Sequence, residues 1–255
     1  MRRSLLIIIP AYNEEKNIGA FLDSLGRSEL ADRADLLVVD DASTDRTAQI
    51  ARERGCAVVT NVYNLGYGSG LQIGYKYAVK RGYDYVIQMD ADGQHDACNA
   101  ELLYRQLVEG EGERPDIVLG SRFLEGSVSY PVSLLKRIAY VPFRLLIRLG
   151  SGKKIMDPTT GLQGLNRRAF SYYAGYNHFD DRYPDANMLM QMMLLGFRVK
   201  EIPAVMYPRL EGVSMHSGLK PVVYMFRMVF SMAAVWVRIR LFHMDQGGLD
   251  EAPVL

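Results

Sequence analysis

The sequence predicts an α/β fold, a largely parallel sheet with helices on both faces, on three observations. Short apolar runs alternate with amphipathic helical patterns through the first half of the chain. The first run, Leu5–Ile9, carries no polar residue and so offers no face to water, as in a strand covered on both sides. The runs also end abruptly at Pro10, Asp40-Asp41, Asp90 and Gly120, the carboxyl ends where such sheets gather their ligands.

In chain order, Leu5–Ile9 is a strand, and Asn17 to Leu25 has the spacing of an amphipathic helix with Asn13 as a candidate cap. Leu36–Val39 is the second strand. A helix is predicted over Thr44 to Arg54, with Asp41, Ser43 or Asp45 able to cap it. Ala57–Thr60 and Tyr85–Met89 are the third and fourth strands, separated by a helix over Ser69 to Lys80. Asn99 to Val108 is helical and Ile117–Leu119 is the fifth strand. From Gly126 the character changes. No acid occurs between Ser127 and Met156, yet Lys136, Arg137, Arg144, Arg148, Lys153 and Lys154 do, among apolar residues. Pro142 is expected to split this stretch into two short helices. A second basic, acid-free segment spans Lys220 to Phe242 and holds Arg227, Trp236, Arg238 and Arg240.

A chain of 255 residues fits one sizeable domain, or one with an appendage. The formal net charge of +1 names no partner, and no pattern asks for nucleic acid. Cys56 and Cys98 stand in unrelated contexts, which suggests neither a disulfide framework nor a zinc site and fits a reducing compartment. Leu5–Ile9 is too short for a signal-peptide core. No apolar run approaches the roughly 20 residues that span a bilayer; Met228 to Val237 reaches about half that length, between Arg227 and Arg238.

Four constellations carry chemistry. Asp90-Ala91-Asp92 puts two carboxylates at i and i+2 after a strand, where both can turn toward one divalent ion. Gln94 continues the alternation with an amide oxygen. The bland alternative is a solvated turn. His95 reads as a ligand, a base or a plain loop histidine. Asp41, at the end of the second strand, can accept from a base edge or ribose hydroxyls, or cap the next helix. Pro10 fixes the turn after the first strand; Tyr12 can stack on a base and Glu14 can reach a ribose. Asn64 to Gly70 is a glycine-rich loop opening a helix, which lets backbone approach a phosphate or base. It is neither a dinucleotide fingerprint, since Leu71 stands where the third glycine belongs, nor a P-loop, since no Gly-Lys-Ser/Thr follows.

Together and in this order, Ile9-Pro10-Ala11-Tyr12-Asn13-Glu14, Val38-Val39-Asp40-Asp41, Asn64-Leu65-Gly66 and Met89-Asp90-Ala91-Asp92-Gly93-Gln94-His95 resemble the donor half of family 2 glycosyltransferases. Within them the likeness is to dolichol-phosphate mannose synthases and bacterial polyprenyl-phosphate glycosyltransferases. Gly120-Ser121-Arg122, Asp157-Pro158-Thr159-Thr160-Gly161 and Arg209 with Gly212 and Ser214 continue it, so that it runs from about Leu5 to His216. The resemblance implies a GT-A fold, a nucleotide-diphosphate sugar donor of UDP or GDP type, and inversion at the anomeric carbon. It implies that Pro10, Tyr12, Glu14 and Asp41 hold the nucleoside. Asp90, Asp92 and Gln94 would hold Mg²⁺ or Mn²⁺ on the diphosphate, and Arg122 and Arg209 would face phosphates or an anionic acceptor. Three positions depart from the family pattern: Arg46 follows Ser43-Thr44-Asp45 in place of glycine, Gln163 replaces an arginine, and Met215 replaces a lysine.

The acceptor is expected to be a polyprenyl phosphate, or else a sugar hydroxyl of a cell-surface glycan. Asp185, eleven residues before Gly196, resembles the base of family members that act on hydroxyls. An alcohol needs such a base, whereas a phosphate is already an anion. Asp185 is equally placed to cap the helix predicted over Ala186 to Leu195. The expected organisation is a catalytic domain over 1–217, with a nucleotide-sugar half (1–125) and an acceptor half (126–217). Amphipathic, interfacial helices follow over 218–246, and a flexible tail over 247–255. The basic apolar segments suit a membrane surface, so the protein is expected to be cytoplasmic and peripheral on the inner face of the cell membrane, with a membrane-embedded partner or a homo-oligomer as further options. Helices simply packed on the catalytic domain are the plainer reading of those segments. A nucleotide-sugar-binding subunit without turnover is the alternative of another class.

Overall fold

A computed structural model describes residues 3–109, 113–130, 140–208 and 220–244. Among these the strands are β1 (Leu5–Ala11), β2 (Ala34–Asp40), β3 (Ala57–Thr60), β4 (Tyr85–Gln88), β5 (Ile117–Ser121), β6 (Gln163–Asn166) and β7 (Val199–Pro203). The helices are α1 (Ile18–Gly26), α2 (Thr47–Glu53), α3 (Tyr67–Arg81), α4 (Cys98–Glu109), α5 (Val141–Ser151), α6 (Arg167–Ala174), α7 (Ala186–Leu194) and α8 (Lys220–Arg240). The seven strands form one sheet in the order β3-β2-β1-β4-β6-β5-β7. All neighbours are parallel except β6, which runs antiparallel to both β4 and β5.

Side chains alternate across each strand, and the core divides accordingly. Leu6, Ile8, Leu37, Val39 and Val86 face a cluster with Leu71 and Tyr75 of α3, Phe170 of α6 and the methionines of α7. Leu5, Ile7, Ile9, Val38 and Ile87 face the other way, onto Ile18, Phe21 and Leu22 of α1 and Leu103 and Leu107 of α4. Both layers make β1 apolar throughout, as its sequence requires. Helix α3 lies close on the sheet: a Cβ on Gly74 would stand 2.5 Å from Ile8 Cγ2.

Several boundaries differ from expectation for local reasons. β1 continues one residue past Pro10, whose neighbour Ala11 accepts from Asp41 N. α2 begins at Thr47 because residues 43–45 are drawn to the 13–15 turn: Asn13 Oδ1 accepts from Thr44 N, and Asp45 Oδ2 from Glu15 N. Pro142 lies in the first turn of α5, where its missing N–H costs nothing; the short helix expected before it falls outside the described residues. Residues 131–139 lie outside the described part, as do 209–219 and the expected tail. β6 and β7 have no counterpart in the sequence reading; Gln163–Asn166 is short and half polar.

Helix α8 packs Met228, Met232, Val235 and Ile239 against the domain at helical spacing. Phe226 and Phe230 remain exposed on it, as do Leu241 just past its end and Val141, Leu145 and Leu149 on α5. No helix among the described residues is long and apolar enough to cross a membrane.

Candidate active site

The carboxyl ends of β1, β2 and β4 open into a cleft of about 400 Å³. Pro10, Tyr12 and Glu14 line it from the turn after β1, Asp41 from the end of β2, and Asp90 and Asp92 from the turn after β4. The acids that the sequence placed at separate strand ends thus share one cavity. Asn64, Gly66 and Tyr67 contribute from the glycine-rich loop, Thr159 and Gly161 from the segment before β6, and Arg182, Tyr183 and Asp185 from the segment before α7.

Asp90 is held by a buried polar chain. Tyr75 Oη donates to Gln88 Oε1; Gln88 Nε2 donates to Gly161 O (2.9 Å) and to Tyr67 Oη (3.2 Å); Tyr67 Oη donates to Asp90 Oδ1 (2.8 Å). Burial and the Asp90 charge push the Tyr67 hydroxyl well above its ordinary pKa, so it stays a donor. Gly161 is required here, because a Cβ would lie 2.8 Å from Asp90 Oδ2 and 3.1 Å from Tyr67 Oη. On the other side Asp90 N donates to His95 Nδ1 (3.1 Å). Burial pushes His95 down to about 4, against the pull of Asp92, so at neutral pH it is an uncharged acceptor that shapes the turn. Asp92 Oδ1 accepts from Gln94 N (3.0 Å).

The glycine-rich loop closes on the opposite rim. Ser69 N donates to Asp181 O (3.0 Å), and a Cβ on Gly68 would fall 2.1 Å from Asp180 O. Gly66, at φ 94°, takes a backbone form that side chains resist. Asp41 anchors the same loop: its oxygens accept from Asn61 Nδ2, Leu65 N and Gly66 N, each at 2.8 Å. It caps no helix.

Asp185 occupies the N-cap position of α7, yet its side chain makes no capping bond. Asn187 Oδ1 takes the Asp185 and Met188 amides instead. The Asp185 carboxylate accepts from Tyr224 Oη of α8 at 2.6 Å. Burial raises its pKa from 3.8 to about 6; Tyr224 and Arg122 oppose the rise, and Asp90 and Asp180 add to it.

Two of the expected residues are engaged elsewhere. Arg122 lies beside the cleft but forks onto Asp157, Nε to Oδ2 at 2.8 Å and Nη2 to Oδ1 at 2.7 Å, with 12% and 0% of the two side chains exposed. Burial works against its charge and Asp157 more than offsets this, holding Arg122 above its ordinary pKa. Gln94 is absent from the cleft lining, its Nε2 directed at Tyr207 O (3.4 Å). Arg209 lies outside the described residues. The sequence reading overlooked Tyr67, Gln88, Arg182 and Tyr224. An aromatic inside the glycine-rich loop and a glutamine within an otherwise apolar strand were the available signals for the first two; Tyr224 carries no local signal.

No three His, Cys, Asp or Glu side chains converge on a metal position among the described residues. Asp90 and Asp92 supply the one or two carboxylates with which a hard ion is held when a substrate diphosphate completes its shell. The donor set fits an ion bound together with a diphosphate rather than one caged by protein alone.

Comparison with known proteins agrees with this geometry. The chain is 32% identical over 229 residues to an undecaprenyl-phosphate mannosyltransferase of Micrococcus luteus, covering 84% of this chain and 88% of that protein. It is 28% identical over 230 residues to a polyprenol monophosphomannose synthase of Mycolicibacterium smegmatis, covering 84% and 81%. Among solved structures it resembles glucosyl-3-phosphoglycerate synthase from Mycobacterium tuberculosis in complex with Mn²⁺ and UDP-glucose, with a TM-score of 0.66 at 20% identity over 92% of this chain and 79% of that one. The sheet with its antiparallel insertion is thus a GT-A fold. The family model for glycosyl transferase family 2 matches residues 6–173, and the chain belongs to that family: it is a glycosyltransferase.

Proposed function

We propose that the protein transfers a sugar from a nucleotide diphosphate to a polyprenyl phosphate at a membrane surface, with inversion at the anomeric carbon and with a divalent ion. The observation that carries this reading is the convergence of Asp41, Asp90 and Asp92 with Pro10, Tyr12 and Glu14 on one cleft. Tyr12, 48% exposed on the rim, offers a face for a base, and Glu14 and Asp41 offer acceptors for donor hydroxyls or base N–H groups. Asp90 and Asp92 would hold Mg²⁺ or Mn²⁺. That ion, when bound, supplies Lewis-acid neutralisation of the diphosphate leaving group. Tyr67 and Gln88 keep Asp90 turned toward the cleft, and Arg182 on the rim brings a cation to an anionic acceptor.

The polyprenyl-phosphate acceptor is supported by the activities named for the Micrococcus luteus and Mycolicibacterium smegmatis relatives. The membrane is supported by the exposed Val141, Leu145 and Leu149 of α5 and Phe226 and Phe230 of α8, on segments that contain arginine and no acid. A second reading is favoured by one observation. Asp185 lines the cleft, forgoes capping and has its pKa raised by burial to about 6, as suits a base for a sugar hydroxyl.

The test is a panel of UDP- and GDP-sugars scored for released nucleotide diphosphate, with and without Mn²⁺. Each donor is offered a short polyprenyl phosphate or a glycan hydroxyl. Turnover that requires polyprenyl phosphate supports the first reading, turnover that requires the glycan supports the second, and turnover with neither refutes both.

A further inference from the structure

Helix α8 is more than a cover for α7. Three polar side chains lie along it at intervals of seven, Tyr224, Ser231 and Arg238, and all three bond to the segment that carries Asp185. Tyr224 Oη donates to Asp185 Oδ2 (2.6 Å), Asn187 Nδ2 donates to Ser231 Oγ (2.9 Å), and Arg238 Nη2 donates to Gln191 Oε1 (2.6 Å). Buried Met228, Met232 and Val235 fill the spaces between them. Polar bonds inside an apolar contact fix register, because slipping the helix by one residue leaves each group unpaired. The end of α8 nearest the cleft is held further by rings: Tyr224 meets Tyr183 edge-on at 5.5 Å and Phe143 at 6.3 Å. Tyr183 itself lines the cleft.

We propose that Tyr224 is a positioning residue for glycosyl transfer: by holding one carboxylate oxygen of Asp185 it aims the other at the acceptor, so that α8 forms part of the acceptor side of the site. Three facts support this. Tyr224 is the only hydrogen-bond donor to the Asp185 carboxylate among the described residues. Asp185 makes no cap with that carboxylate, so its geometry is set from α8 rather than from its own helix. The charged and titratable groups facing it come from other elements: Asp90 from the end of β4, Asp180 from the preceding turn, and Arg122 from the end of β5. None of these donates a hydrogen bond to it, so none fixes its rotamer. A carboxylate with two equivalent oxygens and a free χ2 would sample both orientations; one short bond removes that freedom before substrate arrives.

The inference rests on the cleft being the transfer site and on the second reading above, in which Asp185 serves a hydroxyl acceptor; transfer is therefore measured to a glycan hydroxyl, and the experiment separates the proposal from that reading. Y224F, D185N, the double variant and R238M are compared with the wild type in steady-state transfer, varying donor and acceptor separately. Y224F keeps the ring and its contacts with Tyr183 and Phe143, and R238M loosens the far end of the same seam without approaching the cleft. Expected for Y224F is a loss of about tenfold or more in kcat/KM for the acceptor, with the donor KM within about twofold. Introduced into D185N, Y224F should have almost no further effect, because residues acting through one another are not additive. R238M should change either constant by about twofold at most. Equal losses from Y224F in both backgrounds, a loss in R238M as large as that in Y224F, or full activity of Y224F each overturn the proposal. A wild type that consumes no donor, or transfers only to polyprenyl phosphate, instead overturns the reading on which the proposal rests, and the proposal with it.

Discussion

Replacing Asp185 with asparagine should make the protein more stable at neutral pH. The side chain lies largely out of water, and burial raises its pKa from 3.8 to about 6. At about 1.4 kcal/mol per pH unit, that gap corresponds to roughly 3 kcal/mol. The sign follows from linkage. The native carboxyl holds its proton more tightly than the unfolded chain does, so its contribution to stability is complete below pH 3.8 and is lost as pH rises through about 6. Asparagine keeps the shape and an oxygen for Tyr224 but has no charge to ionise. The stability gap between variant and wild type should therefore be near zero at pH 4 and about 3 kcal/mol in favour of the variant above pH 7. For a chain of this length that is a gain in Tm on the order of 5–10 °C. Thermal unfolding of both proteins from pH 4 to 8 measures it. Transfer to a sugar hydroxyl should fall by about 10²–10⁴-fold in the same variant, while transfer to polyprenyl phosphate should persist. Parallel melting curves at every pH would refute the claim that the carboxyl is ionised at a cost, and a stabilised variant with undiminished transfer to a hydroxyl would refute its role as base.

Asp92→Ala should abolish transfer and leave the Tm within a few degrees of wild type, since Asp92 is a cleft residue; normal turnover by this variant, with the wild type shown to need metal, removes the assigned role. Calorimetric titration should find Mn²⁺ binding weak alone and strengthened by a nucleotide diphosphate, as two carboxylates with no third His, Cys, Asp or Glu beside them among the described residues require; equal affinity with and without nucleotide would contradict that donor set. Asp157→Ala strands the buried Arg122 cation and should cost about 3–5 kcal/mol in urea unfolding. Phe226→Ser with Phe230→Ser should reduce sedimentation with anionic vesicles several-fold while leaving the fold intact, because both rings are exposed; unchanged sedimentation would point away from α8 as a membrane face.

The donor side of the site was largely legible in the sequence, and the acceptor side much less so. Parallel strands buried on both faces leave an unmistakable run such as Leu5–Ile9, and the acids that follow must lie at the carboxyl edge. Asp41, Asp90 and Asp92 were therefore placed by topology alone. What escaped depends on contacts between distant residues. Tyr224 reaches Asp185 across 39 positions, and no period or cap advertises a bond of that kind. β6 is four residues long, with Gly164 in its interior and Gln163 and Asn166 at its ends. It is a strand because β4 and β5 flank it, not because of propensity. Gln94 shows where alternation says too little: it gives no hint of the contact that its Nε2 makes with Tyr207 O.

The contact between the two rims of the cleft has a mechanical consequence. Gly68 and Asp181 are pressed together with no room for even a methyl group, and Ser69 N is tied to the Asp181 carbonyl. The loop on one bank therefore cannot swing out alone; it must drag the other bank with it or break the tie first. A fluorophore on either bank would register the same displacement, and a donor that immobilised the first would stiffen the second before any acceptor had arrived.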